Sequence, residues 1–191
     1  IIPSVVAGHS LGEYSALVCA GAMSFADAVR TVRKRGQFMQ EAVPVGEGAM
    51  AAIIGLDTDK IKEICAETAN MTNQCVQAVN FNCPGQIVIA GATEAVHKAC
   101  DRLKEAGAKR AILLPVSAPF HSTLMQPAAD RLKEVLDSVE IVDAKIPVVA
   151  NVNAKPETKA DEIRSQLVLQ AASPVSVSYT HLRAHETPEH L

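Results

Sequence analysis

The sequence has little aromatic character and lacks several kinds of segment that would direct its interpretation. Of its 191 residues only 3% are aromatic and none is tryptophan, whereas 48% are hydrophobic. The core must therefore consist of Ala, Val, Ile and Leu, and a chain of this length can bury a sizeable one. It has no apolar run near the ~20 residues that span a bilayer, and no basic, apolar leader at its start. We expect a cytoplasmic globular protein without a membrane partner.

Charge and cysteine usage exclude further classes. The formal net charge is -3, which argues against a nucleic-acid-binding surface. The five cysteines are odd in number and form no C-x-x-C pair, so we expect reduced thiols packed as small hydrophobic side chains. Three of the six histidines, His181, His185 and His190, fall near the C-terminus without the spacing of metal ligands. We therefore predict no metal site.

The segment Gly8-His9-Ser10-Leu11-Gly12 carries the strongest chemical signal. It follows an apolar run, residues 1–7, and precedes a helical pattern, which predicts a strand, a sharp turn and a helix. Such a turn exposes the serine hydroxyl at the positive end of the helix and directs the Leu11 N–H toward an oxyanion. A bare G-x-S-x-G also occurs by chance, but its context favours Ser10 as a nucleophile.

A serine nucleophile needs a base, and histidine is the usual one. We expect His9 to pack and hydrogen-bond beneath the turn, and His97 to be exposed on a helix. His121 follows a predicted strand in a loop and is the remaining candidate. Arg35 lies at the edge of the apolar face of a predicted helix over 25–41, where an arginine needs an anion. That anion could be a structural carboxylate or a bound one.

Periodicity predicts an α/β fold. Residues 46–116 show the order βαββαβ, which is typical of a ferredoxin-like unit. The flanking segments, 1–45 and 117–175, alternate strand and helix patterns and form the incomplete catalytic core. Residues 176–191 do not continue the pattern, and we expect a disordered or foreign tail there.

Four segments together resemble the malonyl-CoA:acyl carrier protein transacylases of bacterial type II fatty-acid synthesis. They are residues 7–16, 35–40, 79–86 and 118–125, and the similarity runs from about residue 3 to about 175. The resemblance implies an α/β-hydrolase-like parallel-sheet core into which the ferredoxin-like unit is inserted. It also implies that the chain is truncated at both ends.

The resemblance implies a ping-pong acyl transfer through a seryl ester. Ser10 attacks the malonyl thioester, His121 acts as general base, and the Leu11 N–H forms part of the oxyanion hole. Arg35 pairs with the free malonyl carboxylate. The backbone carbonyl of Gln170 orients the histidine.

Further expectations follow from the same resemblance. Phe120 narrows the acyl pocket, malonyl-CoA and acyl carrier protein are the partners, no cofactor is needed, and the parent protein is monomeric. The family also has a Gly-Gln-Gly oxyanion loop and a Gly-Pro-Gly motif, and this sequence has neither. Because one lost oxyanion donor costs about 10²–10³ in rate, we expect little or no activity from the 191-residue chain by itself.

Three alternatives stay open. A serine hydrolase or thioesterase shares the G-x-S-x-G turn and would release free malonate. A non-catalytic module would dock acyl carrier protein on the basic helices of 46–116. A malonyl-transferring domain of a polyketide synthase would share the chemistry in another context, although the sequence shows no interdomain linker.

Overall fold

A computed structural model describes residues 3–180, with helices and short strands alternating along the chain. The helices are α1 Leu11–Cys19, α2 Phe25–Ala42, α3 Thr58–Thr72, α4 Thr93–Glu105, α5 Gln126–Asp137 and α6 Ala160–Ala172. The strands are β1 Val6–Ala7, β2 Gly48–Ile54, β3 Val76–Cys83, β4 Gln86–Ala92, β5 Arg110–Leu113, β6 Val148–Val149 and β7 Pro156–Glu157. The fold is mixed α/β, as predicted.

The central part of the chain forms a four-stranded antiparallel sheet in the order β3-β4-β2-β5. Helices α3 and α4 connect its strands, so the predicted order βαββαβ is the observed one. Both helices contribute to an apolar cluster of fully buried side chains that includes Ile53, Ile61, Ile89, Val96 and Leu103. Isoleucine and valine on the pleated face pack well against such helices.

A second sheet joins the beginning of the chain to its last third. Strand β1 pairs in parallel with β6, with Val6 opposite Val148, and β7 pairs antiparallel to β6. We predicted strands over 1–7 and 146–152, and both are shorter in the structure. Pro147 has no N–H for the ladder and contributes its carbonyl, which accepts the Val6 N–H at 3.0 Å. The parallel pair brings the ends of β1 and β6 side by side.

Helices α1, α2, α5 and α6 surround this second sheet and bury their own apolar cluster. Its largest fully buried side chains are Tyr14, Leu17, Leu132, Leu136 and Leu167. This cluster is distinct from the one beneath the four-stranded sheet. The turn at residues 8–12 lies above it, at the start of α1.

The structure confirms only part of the apolar face predicted for α2, which comprised Phe25, Ala28, Val29, Val32, Gly36 and Met39. Phe25 and Val29, which we expected to face inward, are 74% and 51% exposed. Ala28 and Met39 are buried as predicted, and Thr31 and Arg35 complete the buried stripe. Tertiary packing against α1 and α5 selects that stripe, which carries Arg35 from the expected edge into the interior.

The C-terminal segment is attached to the body of the protein as far as the structure describes it, to residue 180. Val175 exchanges backbone hydrogen bonds with β3, and the Ser176 N–H donates to the Asn151 carbonyl at 3.0 Å. Residues 177–180 are helical, and Thr180 is buried. Residues 176–180 are therefore ordered, because these backbone contacts attach them to the body. The rest of the predicted tail, 181–191 with its three histidines, lies outside the described residues.

Two absences hold for residues 3–180. No helix among them combines the length and the apolar character required to cross a lipid bilayer. No cluster of three or more His, Cys, Asp or Glu side chains in the same range could hold a metal ion.

Candidate active site

Ser10 sits at a strained turn between β1 and α1. Its backbone has φ 51° and ψ −105°, a conformation that a residue with a side chain adopts at a cost. Gly8 makes the turn possible, since a Cβ there would lie 2.1 Å from the Gly12 carbonyl oxygen. A Cβ on Gly12 would meet nothing within 4 Å. The close approach of the chain at this turn thus requires a small residue at Gly8 and not at Gly12.

Two side chains hold the backbone of Ser10 from opposite sides. The Ser10 N–H donates to Asn151 Oδ1 at 2.6 Å, and Asn151 Nδ2 donates to the Gly8 carbonyl at 2.7 Å. The Ser10 carbonyl accepts from Gln170 Nε2 at 3.0 Å. The Leu11 N–H has no acceptor within residues 3–180. That N–H at the start of the helix is available to an oxyanion, and its role as an oxyanion donor stays a prediction.

His121 meets the serine hydroxyl directly. Its Nε2 lies 2.9 Å from Ser10 Oγ, and its Nδ1 lies 2.9 Å from the backbone carbonyl of Gln170. Because a carbonyl can only accept, Nδ1 carries the proton and Nε2 offers its lone pair to the serine. Burial lowers the pKa of His121 to about 4, with a further contribution from the Arg35 charge. The imidazole is therefore neutral near pH 7 and can accept a proton.

Arg35 is buried beside the same hydroxyl. Its Nη2 donates to Ser10 Oγ and to Gln170 Oε1, each at 2.9 Å. Among residues 3–180 no carboxylate lies within ion-pair distance, so a structural salt bridge, one of the two interpretations left open, has no partner in that range. Its Nε has no acceptor in that range. A buried cation without an anion favours the alternative, a bound anionic group.

Sequence reasoning missed Glu13, which lies beneath the turn. Its Oε2 accepts from Gln170 Nε2 at 2.7 Å and from the Asn151 N–H at 3.2 Å. Burial raises the pKa of Glu13 to about 7, against the opposing effect of these hydrogen bonds. Its position one turn after Ser10 on the same helix was the available signal.

Asn151 and the side chain of Gln170 were also missed. Asn151 follows β6, and polar residues at the carboxyl ends of parallel strands often line sites. Gln170 was predicted to act through its backbone carbonyl, and that hydrogen bond to His121 is present. No sequence pattern indicated that its side-chain amide would also bond Arg35 and Glu13.

The remaining candidates lie as follows. Phe120 packs partly buried between two apolar clusters, one with Met39 and Met125 and one with Met50. Its expected role in narrowing an acyl pocket stays a prediction. His9 hydrogen-bonds Asn80 Nδ2 at 3.0 Å, as expected, and the residue keeps part of its surface exposed. His97 is exposed on α4, also as expected.

The structure brings together Ser10, His121 and Arg35, which are far apart in the sequence. The hydroxyl of Ser10 accepts from a guanidinium while it donates to a neutral imidazole. The free Leu11 N–H lies on the adjoining residue. This arrangement can activate a serine oxygen for attack on a carbonyl and can receive a negatively charged group nearby.

Comparison with protein-family models gives one match that spans nearly the whole chain. Residues 1–190 match the model described as the acyl transferase domain. The match includes 176–190, which the sequence analysis had placed outside the family.

Individual relatives point the same way. The chain is 58% identical over 175 residues to the malonyl CoA-acyl carrier protein transacylase of Bacillus subtilis (strain 168), covering 92% of this chain and 55% of the relative. An acyl-carrier-protein S-malonyltransferase from Burkholderia pseudomallei has a TM-score of 0.92 at 52% identity, covering 96% and 59%.

A third comparison includes a partner protein. A malonyl-transacylase solved in complex with a type II PKS acyl-carrier protein has a TM-score of 0.90 at 55% identity, with 93% of this chain and 57% of that chain covered. The present chain thus spans between half and two thirds of the length of these relatives.

Proposed function

The chain belongs to the acyl transferase domain family, and we propose that it carries the catalytic site of a malonyl-CoA:acyl carrier protein transacylase. The single observation that supports this most is the position of Ser10 Oγ, 2.9 Å from both His121 Nε2 and Arg35 Nη2. A hydrolase needs the serine and the histidine, but it has no use for an unpaired buried guanidinium at the nucleophile.

The proposed reaction has two half-steps. His121 Nε2 takes the Ser10 proton while Oγ bonds the malonyl carbonyl carbon, and the Leu11 N–H donates to the oxyanion. The C–S bond then breaks, the sulfur takes the proton from His121, and CoA leaves. In the second half-step the thiol of acyl carrier protein gives its proton to His121 and attacks the ester. Ser10 recovers its proton as the malonyl group departs.

Arg35 is proposed to bind the free malonyl carboxylate. Its buried guanidinium has no ion-pair partner within residues 3–180, and its Nε has no acceptor there. A carboxylate would satisfy this charge, whereas a neutral acetyl group would not. We also propose that Phe120 borders the acyl pocket and that the Gln170 carbonyl fixes the imidazole tautomer.

The architecture is proposed in the same terms. Residues 46–116 form a ferredoxin-like unit, supported by the βαββαβ order and the antiparallel sheet order β3-β4-β2-β5. Segments 1–45 and 117–175 form an α/β-hydrolase-like core, supported by the turn at Ser10 and the parallel β1–β6 pair. Cytoplasmic location, a monomeric state and catalysis without a cofactor stay predictions.

Mass spectrometry after exposure to malonyl-CoA tests the reaction. A malonyl ester on Ser10 that persists in water and disappears when holo acyl carrier protein is added supports a transferase. Rapid release of free malonate without the carrier indicates the hydrolase alternative. No adduct, with carrier binding unaffected by Ser10→Ala, indicates the docking module.

A second comparison tests whether the length of the chain limits its activity. The assay is run on the 191-residue chain and on a form extended with the additional segments of the Bacillus subtilis relative. We expect strong transfer from the extended form and weak transfer from the shorter one.

A further inference from the structure

Glu13 is a buried ionisable group that the proposed reaction does not use. It is 3% exposed and lies in the first turn of α1, three residues after the nucleophile. No Lys, Arg or His within residues 3–180 forms an ion pair with it. A carboxyl group buried without a cation is costly, so its retention calls for an explanation.

Its two hydrogen-bond donors are the residues that hold the Ser10 backbone. Asn151, whose N–H donates to Glu13, accepts the Ser10 N–H through its side chain. Gln170, whose Nε2 donates to Glu13, gives the same nitrogen to the Ser10 carbonyl. The Glu13 carboxylate thus anchors both residues that bond the backbone of Ser10, whose φ is positive.

The same carboxylate fixes which way the Gln170 amide points. Its Nε2 faces Glu13 and its Oε1 accepts from Arg35 Nη2. If the amide turned over, its NH₂ group would face the guanidinium and its oxygen would face the carboxylate. Both contacts would then be repulsive. Glu13 therefore keeps Arg35 aimed at Ser10 Oγ, although it touches neither the guanidinium nor the hydroxyl.

We propose that Glu13 is a positioning residue. Through Asn151 and Gln170, its negative charge holds Ser10 and Arg35 in their reactive arrangement. This proposal rests on the proposed function. Hydrogen bonds to a charged acceptor are about twice as strong as those to a neutral one. Replacing Glu13 by Gln keeps an oxygen for both donors and removes the charge. We expect this change to slow the reaction of Ser10 by about tenfold.

A pH profile separates positioning from mere packing. Burial raises the pKa of Glu13 to about 7, so the carboxylate gains its proton as the pH falls through neutrality. The charges of Arg35 and Glu157 act on Glu13, and the charge of Glu13 acts on Tyr14, whereas His9 precedes Ser10 and His121 bonds it. Burial lowers the pKa of His9 below 6.5 and lowers that of His121 from 6.5 to about 4. Burial raises the pKa of Tyr14 and that of Glu157. Arg35 stays a cation. Glu157 is the one whose titration could approach that of Glu13.

The test measures how fast Ser10 reacts with a fluorophosphonate probe, which requires no malonyl group. The Oγ–P bond forms, fluoride leaves, and His121 takes the serine proton. We expect the wild-type rate to fall several-fold from about pH 8 to about pH 6, and the slower Glu13→Gln rate to stay flat. Glu157→Gln, a matched buried carboxylate outside the network, should retain the step, with a midpoint shifted slightly to lower pH.

Several outcomes overturn the proposal. One is a Glu13→Gln variant that reacts at the wild-type rate with the wild-type pH profile. Another is a wild-type profile without the step, which needs no variant and decides the matter even if the substitution prevents folding. If Glu157→Gln alone abolished the fall in labelling rate at low pH, the titrating group would be Glu157 and not Glu13. Labelling that behaves as expected, without any malonyl ester from malonyl-CoA, would refute the transferase and leave the role of Glu13 standing.

Discussion

The opposed pKa shifts of Glu13 and His121 give a prediction about stability. Burial raises the pKa of Glu13 from 4.5 to about 7 and lowers that of His121 from 6.5 to about 4. Both groups are at least nine-tenths buried, so solvent screens neither shift strongly. The perturbation is to remove one group at a time, with Glu13→Gln and His121→Gln.

The sign follows from which state binds more protons. For Glu13 the folded state holds the proton more tightly, so its contribution is present below pH 4.5 and is lost as the pH rises to about 7. For His121 the unfolded state binds the proton more tightly, so stability is lost as the pH falls from 6.5 to about 4. Between pH 4.5 and 6.5 the two effects oppose each other and nearly cancel in the wild type.

Each substitution removes one side of this balance. Two pH units at roughly 1.4 kcal/mol per unit amount to about 3 kcal/mol. From pH 4.5 to 6.5, Glu13→Gln should therefore gain about 3 kcal/mol of unfolding free energy relative to wild type. His121→Gln should lose about the same amount relative to wild type over that range.

Urea denaturation of the wild type and both variants at the two pH values measures these differences. All other titrating groups are shared, so they cancel in the comparison with wild type. Exposed Glu134→Gln serves as a control for the effect of a Glu-to-Gln substitution as such. The reasoning would be refuted if the unfolding free energy of each variant relative to wild type did not change between pH 4.5 and 6.5, or changed with the same sign in both variants.

Three further predictions concern the site and the core. Arg35→Ala should lower the rate of malonyl loading by a factor of roughly 10²–10³, because truncating a buried charged donor costs about 2–5 kcal/mol. The rate of acetyl loading should fall less. Equal losses for the two acyl groups would contradict carboxylate binding by Arg35. Gly8→Ala should destabilise the protein by about 1–3 kcal/mol or more because of the overlap with the Gly12 carbonyl. The control Gly12→Ala should change thermal stability little or raise it, because helical alanine is favoured over glycine by about 1 kcal/mol; similar effects of both changes would count against the strained turn. Leu132→Ala should cost about 2–5 kcal/mol in urea denaturation, and a loss below that of an exposed leucine such as Leu169 would contradict its place in the core.

Local sequence patterns predicted the element order, the turn at Ser10 and the family, because short stretches of sequence determine each of these features. The alternation at residues 46–116 indicated the order βαββαβ, and the order is observed. The small residues and apolar flanks around Ser10 indicated the strand–turn–helix, and the turn is present. The segments quoted for the family resemblance led to the acyl transferase family, and the family match agrees.

Local pattern was less successful where packing between distant elements decides the outcome. The buried stripe of α2 is shifted from the predicted face because contact with α1 and α5, rather than periodicity alone, selects which face is covered. That shift is what buried Arg35 completely, at 6% exposed. Strands β1 and β6 are shorter than predicted because only a few of their residues find a partner.

The sequence by itself determined the chemical groups and the family: a serine in a strained turn, a histidine after a strand, and an arginine on a helix. Only the tertiary structure decided how they are held. The hydrogen bonds that join Asn151 and Gln170 to Ser10 and to Glu13 each span more than 130 positions. Such contacts leave no periodic trace in a sequence, because their geometry arises only when separate helices and strands pack together. The pKa values of Glu13 and His121 depend on that burial in the same way.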